Sequence, residues 1–208
     1  MKSVLVVDDH MIIRRGLVQV LGEIDSCWYV EEAADGVGAM RQLRDKSFDV
    51  MLLDVALGER DGFDVLKSVR SEFPKLGVVM LSVYPESQFA LRAIRSGANA
   101  YLNKGCSPNE LGQAIGLAAK GQVYVTPTTA GLMASDLRQP GAQAPHERLS
   151  NREMQVLRQL VQGESIQHIA HALCLSGNTV STYRARIFEK LELKNLVDLV
   201  NYARTHGL

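Results

Sequence analysis

The chain has 208 residues, 46% hydrophobic and 22% charged, with 23 basic and 23 acidic side chains and so no net charge at pH 7; this is the composition of one large or two small soluble globular domains. The lack of a basic excess excludes nucleic-acid binding by bulk charge, so any such binding must rest on local geometry. No apolar stretch approaches the roughly 18 residues that a membrane span needs, and Met1-Lys2-Ser3 runs straight into a strand pattern rather than a leader, so a cytoplasmic protein with no membrane partner is expected.

The first 121 residues alternate strand and helix patterns. Strands are expected near 3–7, 29–34, 50–53, 78–82 and 100–103, where runs such as VLVV, VMLL and VVML have the continuous hydrophobicity of strands buried on both faces of a parallel sheet. Between them Leu17/Leu21, Met40/Leu43, Val65/Leu66/Val69 and Leu91/Ile94 recur at helical spacing. The expected fold of this half is an α/β doubly wound five-stranded parallel sheet in flavodoxin-like order. From Val123 the texture changes. VYVTPTTAGLMASDLRQPGAQAPHER holds three prolines and little periodicity after Met133, which describes a linker begun by at most a short helix.

Beyond the linker only helical patterns remain. Ser150-Asn151-Arg152-Glu153 is a capping box ahead of Met154, Val156, Leu157, Leu160 and Val161, with Gly163 as a stop. Ser165 can cap Ile166 to Leu173, Leu175-Ser176 forms a tight turn into Thr179 to Leu191, and Asn195 opens a last helix that ends near Gly207. Four helices with a very short turn between the middle pair describe a small all-α helix-turn-helix domain. The expected organisation is a first domain over 1–122, a linker over 123–146 and the helical domain over 147–208. Cys27, Cys106 and Cys174 lie far apart without metal-ligand spacing and are expected to be reduced.

Four apolar runs end in polar residues: VLVV in Asp8-Asp9, VMLL in Asp54, VVML in Ser82 and AYLN in Lys104. Ligands of open parallel sheets bind outside the carboxyl ends of the strands, so these residues should converge. Asp54, closing the central run, can act as a nucleophile toward a phosphoryl group. Carboxylate attack on an anionic phosphoryl group is opposed by charge, and Asp8 and Asp9 supply oxygen ligands for a Mg²⁺ ion that relieves it. Lys104 would neutralise a phosphoryl oxygen and Ser82 would donate its hydroxyl once the group arrives. His10 follows the acidic pair, but imidazole suits softer metals than Mg²⁺, so a structural or surface role is expected.

VDDH at 7–10, LLD at 52–54, LS at 81–82, GANAYLNK at 97–104 and SPNEL at 107–111 resemble a bacterial receiver domain, and LSNREMQVL at 149–157 with IAHALCLSGNTVSTYRARIFEKL at 169–191 resembles a LuxR-type DNA-binding domain. In this order they resemble a two-component response regulator of the NarL/FixJ family. The resemblance implies that Asp54 accepts a phosphoryl group from a sensor histidine kinase and that the backbone carbonyl of Ala56 completes the metal shell. It further implies that Tyr101 is a switch following Ser82 inward, and that a phosphorylated homodimer binds promoter DNA, with RNA polymerase a further candidate partner. No enzyme activity is implied. Phosphatases that pass through an aspartyl phosphate carry a second carboxylate two residues after a nucleophile on the first strand, and position 10, two residues after Asp8, is histidine.

The chain departs from the family pattern in three places. Gly58 stands where proline is common, which would loosen its loop. Val83 has bulk that would narrow access beside Ser82. Ala56 and Tyr84 carry no acid or amide to position a hydrolytic water, which implies slow dephosphorylation. In the helical domain Val180, Ile187 and Leu191 form a buried stripe, leaving Asn178, Thr179, Ser181, Thr182 and Ala185 for a major groove and Arg184 and Arg186 for phosphates.

Overall fold

The structure is a computed structural model, and it describes residues 2–25, 27–57, 60–138, 145–173, 175–206 and 208. The positions of Gly58, Cys174 and Gly207 singled out above lie outside the described residues. The chain divides into two compact units, Met1–Pro140 and Gly141–Leu208.

The first unit is a five-stranded parallel sheet of β1 (Ser3–Val7), β2 (Tyr29–Ala33), β3 (Val50–Asp54), β6 (Gly77–Ser82) and β7 (Ala100–Asn103), in the order β2-β1-β3-β6-β7. The central strands are apolar at successive positions because both faces are covered. On one face Val4, Val6, Val50, Leu52, Val79, Leu81, Ala100 and Leu102 pack with Leu21 of α1 (Met11–Ile24) and with Leu111, Ala114, Ile115 and Ala118 of α5 (Pro108–Ala118). The alternate residues, among them Leu5, Met51, Leu53, Met80 and Tyr101, are buried toward the opposite face, where α2 (Gly36–Asp45), α3 (Gly62–Glu72) and α4 (Glu86–Arg95) lie. A short antiparallel pair, β4 (Ala56–Leu57) with β5 (Arg60–Asp61), follows β3 directly. Strand order reverses between β1 and β3, so the loops after these two strands diverge and open a crevice above their carboxyl ends.

Within the segment read as linker, residues 127–138 form α6 (Pro127–Arg138), which belongs to the first unit and packs along α4. Thr126 precedes it as cap, its hydroxyl accepting from the Thr129 N–H at 3.1 Å.

The second unit begins with a short 3₁₀ turn (Pro145–Arg148) and continues through α7 (Asn151–Val161), α8 (Ile166–Ala172), α9 (Gly177–Leu191) and α10 (Leu196–His206). The capping box is present in both directions: Glu153 N–H donates to Ser150 Oγ at 3.3 Å and Ser150 N–H donates to Glu153 Oε2 at 2.6 Å. Glu153 is 2% exposed and also takes Lys190 Nζ at 2.6 Å, so one carboxylate caps α7 and ties it to α9. Gly163 stops α7 at φ +84°, a conformation a side chain would strain. Leu149, Val156, Leu157, Ile169, Val180, Ile187, Leu199 and Ala203 form the buried core.

Candidate functional site

Sheet register brings the polar strand ends together. Asp54 pairs with Leu81 and Ser82 with Asn103, so Asp54, Ser82 and Lys104 close three neighbouring strands at one level. The Lys104 N–H donates to the Ser82 carbonyl at 2.7 Å, which fixes the root of the lysine. Its Nζ lies 2.6 Å from Asp8 Oδ2 and 2.8 Å from Asp54 Oδ2. Gly62 makes this packing feasible, since a Cβ there would stand 2.2 Å from the Asp54 carbonyl oxygen.

Asp8 and Asp54 are 1% and 3% exposed, whereas the Asp9 side chain is 32% exposed at the mouth. Burial pushes the Asp54 carboxyl from 3.8 up to about 6, against the pull of the Lys104 ammonium. Burial likewise opposes the charge on Lys104, but the two carboxylates outweigh it and hold its pKa above the ordinary lysine value. Asp8 Oδ1 accepts from the His10 backbone N–H at 2.8 Å, and Arg14 Nη1 donates to the Asp8 carbonyl at 2.7 Å, so the turn after β1 is held by main-chain and guanidinium contacts. His10 itself is at the surface, its Nδ1 2.6 Å from Asp9 Oδ1. Arg14 carried no sequence signal, because its role depends on the fold of the turn it spans.

Carboxylate oxygens of Asp8, Asp9 and Asp54, with a ring nitrogen of His10, lie within 4.8 Å of one another. Asp8 Oδ2, though close to the ammonium, receives no aligned hydrogen bond. Two carboxylates sharing one lysine, with the third, Asp9, beside them at the mouth, fit a hard divalent cation. Ala56 is half-buried at the rim, and its N–H donates to the Asp54 carboxylate.

Ser82 is 1% exposed and its Oγ accepts from the Tyr84 N–H at 3.1 Å. Tyr101 is 2% exposed and donates to the Tyr84 carbonyl at 3.1 Å, while burial pushes its phenol far above the ordinary value and keeps it neutral. Val83, which follows Ser82, is 65% exposed. Cys27 is exposed and Cys106 half-buried, both as free thiols.

In the second unit Ser176 caps α9 by accepting from the Thr179 N–H at 3.1 Å, and its Oγ lies 2.8 Å from Thr179 Oγ1. Thr179 is half-buried, and Asn178, Ser181, Thr182 and Ala185 are exposed on one surface of the helix, with Arg184 and Arg186 exposed on either side of it. The Ser181 and Thr182 hydroxyls donate to the carbonyls of Gly177 and Asn178 at 2.9 Å, which leaves their oxygen lone pairs outward. Asn178, Thr179, Thr182 and Arg186 line a shallow depression together with Tyr183, which carried no sequence signal of its own.

Residues 4–116 match the family model described as response regulator receiver domain, and residues 147–203 match that of the bacterial regulatory proteins, luxR family. Response regulator GacA of Pseudomonas protegens is 37% identical over 208 residues, covering 100% of this chain and 98% of its own. Response regulator UvrY of Escherichia coli K12 is 32% identical over 209 residues, covering 100% and 96%. The structure of RcsB from Salmonella enterica serovar Typhimurium, bound to a promoter in the presence of a phosphomimetic, superposes with a TM-score of 0.59 at 25% identity over 97% of both chains. The chain belongs to the NarL/FixJ family of response regulators, a receiver domain followed by a LuxR-type helix-turn-helix domain.

Proposed function

We propose that Asp54 is the phosphoacceptor of a two-component system and that its phosphorylation controls promoter binding by α9. The observation that carries this reading is the convergence of Asp8, Asp54 and Lys104 within 2.8 Å contacts at the switch point of the sheet. An Asp54 carboxylate oxygen attacks the phosphorus of a phosphohistidine on the sensor kinase. The phosphorus–nitrogen bond breaks and its electron pair stays on the imidazole, which leaves neutral because its other ring nitrogen already carries a proton. Asp8, Asp9, Asp54 and the Ala56 carbonyl would hold Mg²⁺, which would supply the positive charge that offsets repulsion between carboxylate and phosphoryl oxygens. Lys104 then exchanges a carboxylate partner for a phosphoryl oxygen, Ser82 turns its hydroxyl toward the same group, and Tyr101 follows Ser82 inward.

The working division is a phosphoacceptor domain over 1–122, a connecting segment over 123–146 and a DNA-binding domain over 147–208. Asn178, Thr179, Ser181, Thr182 and Ala185 are assigned to base edges, and Arg184 and Arg186 to phosphates. The active species is a homodimer in the bacterial cytoplasm that addresses RNA polymerase at promoters. Ala56 and Tyr84 carry no acid or amide that could position a water, so the acyl phosphate should persist for minutes or longer; decay of the label within seconds in Mg²⁺ buffer would contradict this. The assignment of Asp54 is tested by intact mass. A small acyl-phosphate donor with Mg²⁺ should add about 80 Da, one phosphoryl group, and Asp54→Asn should gain nothing. Full labelling of that variant would remove the assignment.

A further inference from the structure

The contact between α4 and α6 carries a polar tie at each end. Glu86, in the first turn of α4, accepts from Thr129 Oγ1 at 2.7 Å and from the hydroxyl of Thr126, the cap of α6. Thr126 and Thr129 are 5% and 1% exposed, so neither hydroxyl has water as an alternative partner. The Glu86 charge also sits at the amino end of α6, where the helix dipole favours an anion. At the other end Arg95 of α4 pairs with Asp136 of α6, so the two helices run side by side in the same direction, fastened at both ends.

Glu86 is joined to the phosphorylation site by a short path. Ser82 Oγ holds the Tyr84 N–H, Tyr101 holds the Tyr84 carbonyl, and Asn103 Nδ2 lies 3.4 Å from the Val83 carbonyl. Pro85 and Glu86 follow Tyr84 directly, and the Tyr84 ring packs edge-on against Phe89 in the next turn of α4. A hydroxyl drawn toward a phosphoryl group on Asp54 therefore pulls on the residue that sets where Glu86 stands. A carboxylate displaced by about an ångström loses hydrogen bonds whose strength falls steeply with length and angle, and both threonine hydroxyls would be left buried without an acceptor.

We propose that Glu86 with Thr126 and Thr129 forms a latch that docks α6 on α4 and opens when Ser82 moves. The proposal rests on the reading of Asp54 as phosphoacceptor, and it adds that the helix leading out of the receiver is released through this carboxylate. The device uses the packed, two-position character of buried hydrogen bonds to turn a small shift at Ser82 into freedom of a whole helix.

Hydrogen exchange of peptides covering 127–138 in the full-length protein tests it, with intact mass measured on the same sample. Phosphorylated protein should exchange these amides at least tenfold faster than unmodified protein. Glu86→Ala should do so without any donor, and so should Thr129→Val, which keeps the shape and removes the hydroxyl. Unchanged exchange in protein that has gained the phosphoryl mass, or wild-type exchange in both variants, would overturn the latch. If the protein gained no mass, the reading of Asp54 would fail instead. The latch would then stand if exchange rose in both Glu86→Ala and Ser82→Ala, which removes the acceptor of the Tyr84 N–H, and fall if it did not.

Discussion

Replacing Asp54 by asparagine should stabilise the metal-free protein at neutral pH. The ionised carboxylate is 3% exposed beside Asp8, and burial raises its pKa from 3.8 to about 6 despite Lys104. A folded-state pKa above the unfolded one means that the folded protein holds the proton more tightly, so ionisation costs stability. The cost is complete above about pH 6, shrinks as pH falls through that value, and is gone below about 4. At about 1.4 kcal/mol for each tenfold, the distance from 3.8 to about 6 corresponds to about 3 kcal/mol. An amide in this place carries no charge and still accepts from Lys104, so most of that amount should be recovered. For a unit of this size the gain is on the order of 10 °C in melting temperature. Thermal melts of wild type and Asp54→Asn in a chelator, at pH 7.5 and at pH 4, check it. The two curves should separate at pH 7.5 and converge at pH 4. Added Mg²⁺ should raise the wild type more than the variant, because the ion binds the folded site that retains the third carboxylate. A variant no more stable than wild type at pH 7.5 without metal, or a gain equal at both pH values, would refute the electrostatic account of this site.

Lys104→Ala leaves Asp8 and Asp54 buried together without their ammonium, so the Asp54 pKa should move above about 6 and the loss of stability should be larger at pH 8 than at pH 5, as read from melts across that range. Gly62→Ala forces a Cβ to 2.2 Å from the Asp54 carbonyl oxygen and 3.0 Å from Val55 Cα, both backbone. It should cost at least about 1–3 kcal/mol in urea unfolding, with slower phosphoryl uptake because the shift falls on Asp54. On DNA, Arg184→Ala or Arg186→Ala should weaken binding to all sequences about equally and reduce the salt slope by about one each, whereas Thr182→Ala should chiefly relax sequence preference in competition gel shifts.

The strand ends of the receiver were legible because a parallel sheet converts local sequence into a shared location. Each apolar run fixes where its strand stops, and the stop is where the crevice opens, so Asp8-Asp9, Asp54, Ser82 and Lys104 could be placed on one site from four short segments. The helix caps at Ser150, Ser165 and Ser176 were equally local, each a hydroxyl accepting from an N–H three residues on. What stayed hidden depends on partners far apart in sequence. Thr126 and Thr129 find Glu86 across about 40 residues, which no periodicity announces, and so the docking of α6 inside the segment read as linker went unseen. The two-residue strands β4 and β5 are too short to carry a pattern.

The central claim is that a phosphoryl group on Asp54 governs DNA binding by α9. Gel-shift titrations of the full-length protein on DNA selected by that protein from a random pool, with and without a small acyl-phosphate donor and Mg²⁺, test it most directly. Wild type should bind more tightly after treatment with the donor, and Asp54→Asn should remain at the untreated wild-type affinity under both conditions. Equal tightening of the wild type and Asp54→Asn by the donor would contradict the account.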